Sequence, residues 1–262
     1  MLKLATYVGT RLTKVVREIQ CSNCGAPLEF EPGEIIVSCG YCGYTSIIQT
    51  GEPFTLEHSV ILNKIEHDDV NELIRGWMKK SFMSPRDLER KAAIDEPTLV
   101  YLPFWVISPK ATTTYKGIIE RISPPVNKEG QVSNRYSWLV IARKGADFPT
   151  RSYTIPLEGR IPFNPAKLTR GAKILNSEVG KDEAVEVAQQ EIKQLQIFIA
   201  KKEVDVIIES QFEFEIEEMF YLHTPVWFTS YTYKGSKYLV LLDGAEGEII
   251  KGDLPTVEFK LI

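Results

Sequence analysis

Tyr101-Leu102-Pro103-Phe104-Trp105 and, further along, Tyr221-Leu222-His223-Thr224-Pro225-Val226-Trp227 are two versions of one phrase, the second lengthened by two residues before its proline. The agreement extends outward in both directions. Downstream, Thr114-Tyr115-Lys116-Gly117 answers Thr232-Tyr233-Lys234-Gly235, with glycine where a hairpin turn needs a residue tolerant of positive φ. Upstream, Ile61-Leu62-Asn63 answers Ile174-Leu175-Asn176, and each leads into an acidic helix start, Asp68-Asp69 and Asp182-Glu183. Val70, Leu73, Ile74, Trp77 and Met78 form one apolar stripe at helical spacing, and Ala184, Ala188, Ile192, Leu195 and Ile199 form its counterpart. The offset between matching anchors changes little along the chain. The pattern predicts an α+β fold with two copies of a helix-plus-antiparallel-sheet domain, residues 51–145 and 172–262, joined by a connector, 146–171.

The second copy shows its strands more openly. Val204, Val206, Ile208, Ser210, Phe212, Phe214 and Ile216 alternate, as on a strand with one buried face, which turns Glu213, Glu215, Glu217 and Glu218 toward solvent. Segments Val226–Tyr233, Lys237–Leu242 and Glu248–Lys251, separated by turn residues, complete an antiparallel run. In the first copy, Ser84-Pro85-Arg86-Asp87 combines an N-cap, a proline at the first helical position and a capping-box acid, which predicts a short extra helix. The polar stretch Ser123–Asn134 reads as a mobile loop. Prolines 149, 156, 162 and 165 mark the connector as irregular and laid over the surface. Trp105 and Trp227 read as core residues at equivalent sites, ahead of a reading as paired anchors for a peptide or base.

The chain's four cysteines stand in Cys21-Ser-Asn-Cys24 and Cys39-Gly-Tyr-Cys42, a C-x2-C-x14-C-x2-C arrangement followed in each case by glycine, Gly25 and Gly43. This spacing predicts a zinc ribbon over residues 18–50, with one structural zinc ion in a tetrahedral cage of four thiolates. Four protein ligands leave no open position for Lewis-acid chemistry. Two disulfides, or iron in the same cage, are the alternatives. Disulfides need an oxidising compartment, and the short N-terminal apolar stretch, interrupted by Lys3 and Arg11, does not read as a secretory signal. Tyr41 and Tyr44 at the ribbon tip are candidate partner-binding residues.

With 262 residues and 44% apolar content the chain can build packed cores. Its formal net charge of −4 argues against a surface devoted to neutralising phosphates. Residues 1–17 are the exception. They carry Lys3, Arg11, Lys14 and Arg17 and no acid. This basic N-terminal arm reads as an extended lead-in to the ribbon, or as an anchor for nucleic acid, a membrane surface or a partner through Arg11, Lys14 and Arg17. No apolar run approaches the roughly 18 residues of a membrane span. His67 reads as a solvated residue beside a helix cap and His223 as a residue at the start of a strand. A Gly-x-Ser-x-Gly elbow, a His-Glu-x-x-His helix, a dinucleotide fingerprint and a phosphate loop are all missing from the sequence.

The ribbon Cys21–Cys42, the block from Trp77 through Ser84-Pro85 to Trp105, the helix from Asp182 and the closing block from Pro225-Val226-Trp227 through Tyr233-Lys234-Gly235 to the Asp243–Gly247 turn together resemble a family of zinc-ribbon proteins. These are labelled primosomal protein N-prime-like or TFIIB-type zinc ribbon-containing. Similar members end in an Asn-Gly-x-Thr-Gly turn, where this chain has Asp243-Gly244-Ala245-Glu246-Gly247. The family has no established biochemical activity, and no helicase motor is present here. The expectation is a cytoplasmic, non-enzymatic interaction or scaffold protein with a protein partner. The alternative is a nucleic-acid-binding accessory factor of replication or transcription, docking through ribbon and arm.

Overall fold

The computed structural model describes residues 58–80, 84–145 and 148–255 in full, together with the backbone of four short strands before them. These strands are β1 (Ile19–Gln20), β2 (Pro27–Leu28), β3 (Ile36–Ser38) and β4 (Thr45–Ile47). The chain divides into two units, Met1–Glu52 and Pro53–Ile262. In the first, β1 pairs antiparallel with β2 and β3 with β4, so each pair is a separate hairpin. The cysteines, the arm and the ribbon-tip tyrosines lie outside the described residues.

The second unit runs through β5 (His58–Val60), α1 (His67–Lys80), α2 (Leu88–Lys91), β6 (Ala93–Ile94), β7 (Thr98–Ile119), β8 (Val126–Arg135) and β9 (Trp138–Ile141). It continues with β10 (Ile161–Pro162), β11 (Lys173–Ile174), α3 (Lys181–Ala200), β12 (Val206–Tyr233), β13 (Ser236–Asp243) and β14 (Ile249–Gly252). Strands β5 to β14 form one ten-stranded sheet. The architecture is mixed α+β, as expected. The two halves predicted as separate domains share this sheet, because β7 and β12 pair antiparallel from Val206 opposite Ile118 to Pro225 opposite Tyr101.

Across that central pair each half lends a short parallel strand to the other. β5 lies beside β12 with Val60 opposite His223, and β11 lies beside β7 with Ile174 opposite Tyr101. Further along the same edges, Trp105 faces Val140 of β9 and Trp227 faces Leu242 of β13. Pro103 and Pro225 donate no backbone hydrogen bond, yet their carbonyls accept from Ala142 (2.9 Å) and Gly244 (2.8 Å).

Side chains alternate across β7 and sort the core into layers. Tyr101, Trp105 and Ile107 point to the helices. Val70, Ile74 and Met78 of α1 pack with Tyr101, Trp227 and Tyr231, while Ala184, Ala188 and Ile192 of α3 pack with Trp105, Ile107 and Tyr221. Val100, Leu102, Phe104 and Val106 point the other way, against Tyr153 and Ile155. A strand covered on both faces needs apolar residues at consecutive positions, which is why Leu99–Ile107 reads as an unbroken apolar run apart from Pro103.

Several local expectations are corrected. Gly117 is not in a hairpin turn: it lies inside β7, paired with Ile207 of β12 and Lys128 of β8, whereas its counterpart Gly235 does occupy a turn with positive φ. The connector is irregular but is not merely a surface path, since Tyr153 and Ile155 form the second layer of the core. Ser123–Asn134 is not a loop: most of it is β8, paired with β7 from Lys110 opposite Arg135 to Ile119 opposite Val126. Its polarity reflects a strand with little buried surface, Val132 being its buried residue. Ser84 does not cap α2. Its hydroxyl donates to the Met78 carbonyl (3.0 Å), Asp87 occupies the N-cap position without a side-chain cap bond, and α2 begins at Leu88.

Candidate functional site

The strands of the first unit frame the expected metal ligands. In β1–β2 the last pair is Gln20 opposite Pro27, and in β3–β4 it is Ser38 opposite Thr45. Each hairpin therefore closes around residues whose sequence is Cys-x-x-Cys-Gly followed by one more residue, 21–26 and 39–44. Cysteine starts each connection and recurs in its fourth place. The donor set, four soft thiolates in two hairpin connections of equal length, fits zinc or iron. Cys21, Cys24, Cys39 and Cys42, the tyrosines Tyr41 and Tyr44, and the arm residues Arg11, Lys14 and Arg17 all fall outside the described residues.

In the second unit, no group of three His, Cys, Asp or Glu side chains converges as a metal site among the described residues. What the shared sheet does bring together is a pair of histidines. His223 donates its Nε2–H to the Leu175 carbonyl (2.9 Å), which leaves Nδ1 as acceptor for the Nε2–H of His58 (2.8 Å). His58 stacks on Phe163 with ring centroids 4.0 Å apart, and Tyr221 stands edge-on to His223 at 5.2 Å. Burial lowers His58 to about 3, assisted by repulsion from His223, and burial lowers His223 to about 4. Both rings are neutral at pH 7. The cluster fastens β5, β12 and the segment that follows β11 to one another. His58 and His223 are 165 positions apart, so no local sequence pattern couples them. The pairing requires the parallel β5–β12 register, which hydrophobic periodicity alone does not reveal.

The two tryptophans of the repeated phrase are core residues, each 4% exposed. Trp105 Nε1–H donates to the Val179 carbonyl (2.8 Å), immediately before α3, and Trp227 Nε1–H to Asn63 Oδ1 (3.1 Å), shortly before α1. Each indole therefore ties its strand to the segment leading into a helix. Gly244 completes the second arrangement, because a Cβ there would stand 2.6 Å from Asn63 Oδ1 and 2.8 Å from Pro225 Cβ. His67 is partly exposed and lies between Asp68 (3.4 Å) and Glu96 (2.9 Å), close to the surface position expected for it.

A half-open cleft of about 270 Å³ lies between β9 and the connector, lined in part by Trp138, Arg151, Tyr153 and Ile155. Its one cation among the described residues, Arg151, is committed. Arg151 lies 3.7 Å over the Trp138 ring, and its guanidinium donates to Glu191 of α3 (2.7 Å) and to the Leu139 carbonyl (2.8 Å). Trp138 Nε1–H donates to the same Glu191 oxygen (2.7 Å). Beside it, Tyr153 donates to Asp243 (2.8 Å), whose other oxygen accepts from the amides of Ala245 and Glu246 and so holds the β13–β14 turn. Burial raises Asp243 and Tyr153 alike. These contacts seat the connector and α3 on the sheet.

The chain matches no protein-family model, no curated protein and no solved structure. No helix among the described residues is long and apolar enough to cross a membrane.

Proposed function

We propose that this is a zinc-ribbon interaction protein. Cys21, Cys24, Cys39 and Cys42 hold one structural zinc ion, and the second unit serves as a non-enzymatic scaffold in the cytoplasm, with a protein as partner. The observation that carries the metal assignment is the pair of hairpins, each connected by Cys-x-x-Cys-Gly in the same phase. Four protein thiolates fill a tetrahedral site, so the ion folds the unit and leaves no position for substrate. The second unit is read as two copies of one element, β5-α1-β7-β9 and β11-α3-β12-β13. Three reciprocal features support that reading: the exchanged parallel strands, the proline carbonyls bonded to Ala142 and Gly244, and tryptophans opposite Val140 and Leu242.

Elemental analysis in reducing buffer tests the metal centre. One zinc per chain is expected. Binding in small zinc domains is worth roughly 10–16 kcal/mol at neutral pH, so Cys24→Ser or chelation unfolds residues 18–50 and leaves the helical circular dichroism of the second unit in place. Absence of metal, iron in its place, or loss of the whole helical signal on chelation contradicts the assignment.

The basic composition of residues 1–17 supports a second reading, a nucleic-acid accessory factor docking through arm and ribbon. A salt titration separates the two. Phosphate neutralisation gives a steep negative slope, and replacing Arg11, Lys14 and Arg17 by alanine flattens it by about one unit per lost contact. A protein-binding role gives no such slope, and Tyr41→Ala with Tyr44→Ala then weakens the partner complex instead.

A further inference from the structure

From Val206 to Ile216, β12 pairs with β7 along one side, while β5 and β13 occupy its opposite side only from Tyr221 onward. Among the described residues, that stretch of strand presents an unpaired edge. Its ends are set by two irregularities in register, at Ile207/Glu209 and Ile216/Glu218, with a regular run between them. Natural sheets guard open edges with lysine, proline or short length. This one holds no lysine, arginine or proline between Val206 and Thr224.

The two faces of the edge differ in chemistry. Phe212 and Phe214 lie on the helix side, partly buried beside the cluster under α3, and Ile216 is 39% exposed. On the other face Glu209, Glu213 and Glu215 stand opposite Lys116, Thr112 and Lys110. Lys116 lies 3.6 Å from Glu209, and Arg135 pairs with Glu217 (2.8 Å) and attracts Glu215 more weakly, which leaves Glu213 as the carboxylate of this face without an ion pair among the described residues. A second copy of this strand would set glutamate against glutamate, and a nucleic-acid backbone would be repelled. The complementary occupant is an extended peptide whose residues alternate apolar and basic, placing apolar side chains beside Phe212 and Phe214 and cations beside the carboxylates.

We propose that the free edge of β12 takes up such a strand from a partner protein by adding it to the sheet. The inference rests on the interaction reading of the second unit and is independent of the zinc centre. The test uses the full chain with its zinc content measured in the same sample, and a labelled acetyl-(Lys-Val)4-amide peptide as probe. Binding at physiological salt is expected, with amide hydrogen exchange in residues 209–216 slowed about tenfold or more. Glu213→Lys with Glu215→Lys, both on the open face, weakens binding by about tenfold or more without altering circular dichroism. A peptide of the same composition in two blocks, or one methylated at alternate backbone nitrogens, loses the exchange protection. Equal binding of either control, protection elsewhere in the chain, or dimerisation through this edge overturns the proposal. If peptide binding fails while zinc remains at one per chain, the edge assignment falls and the ribbon assignment stands.

Discussion

His58 and His223 show what one proton position decides. The Leu175 carbonyl can only accept, so the hydrogen-bond chain from His58 through His223 to that oxygen has one direction; His223 must be neutral to accept from His58, and burial with repulsion from His223 keeps His58 neutral as well. The unfolded chain titrates near the ordinary value of 6.5, while the folded values are lowered to about 3 and about 4. Between those limits the unfolded state binds more protons than the folded one, so stability rises with pH and is lost as pH falls from about 6.5 toward 4. Each histidine contributes up to about 1.4 kcal/mol per pH unit across that window. Urea unfolding between pH 4.5 and 7 should show this slope, and His58→Gln should make it shallower by about one proton. An unchanged slope would remove His58 from the account. The sequence reads His223 as the start of a strand, because Pro225 follows it, whereas it lies inside β12 between β7 and β5; nor can the sequence show its partner, because the contact depends on a register set by the whole sheet. The tryptophans were easier to read, since repetition of a Pro-x-Trp phrase implies repeated packing.

At the scale of elements, legibility followed burial. α1 and α3 each bury one stripe, so their apolar spacing identified them, and β7 is buried on both faces over Leu99–Ile107, so its apolar run did the same. β8 carried no such signal. Its inward positions include Gly130, where a Cβ would run into the Tyr115 ring, and Val132, and its other side chains are largely exposed. Gly130 is thus a packing residue inside what reads as a polar loop. Gly130→Val should cost about 1–3 kcal/mol by forcing Tyr115 from its place. Gln131→Val, on the open face of the same strand, should change stability by no more than about 0.5 kcal/mol. Chemical denaturation of the two variants side by side checks the contrast, and equal effects would mean that β8 does not pair as described. The alternation of β12 was legible for the same reason in reverse: Phe212 and Phe214 turn toward the helix side. It falters at Ile208, 64% exposed, because a register shift intervenes between Ile207 and Glu209.

At the scale of the whole molecule, the repeated phrase pointed to two units, and the sheet shows why two units need not be two independent domains. Each half supplies one of the long central strands and lends a short parallel strand to the other. Pairing partners of that kind lie far apart in sequence, so periodicity within either half is the same whether the halves stand apart or share a sheet. The connector adds to the dependence, since Tyr153 and Ile155 cover residues from both central strands, among them Phe104 and Phe220. Separating the halves after Gly145 would expose the facing edges of β7 and β12 and strip β5 and β11 of their neighbours. Neither fragment, residues 1–145 or 146–262, should then show cooperative unfolding of its helix and sheet, while co-expression should yield a one-to-one complex with the circular dichroism of the intact chain. Separate cooperative transitions in the two fragments would instead make each half a domain in its own right, with the shared sheet a docking of finished pieces. The expected dependence follows from where the apolar surface lies: the largest buried side chains, Tyr101, Tyr231, Phe104 and Phe220, sit on the two central strands, and clusters that hold them draw on both halves of the chain.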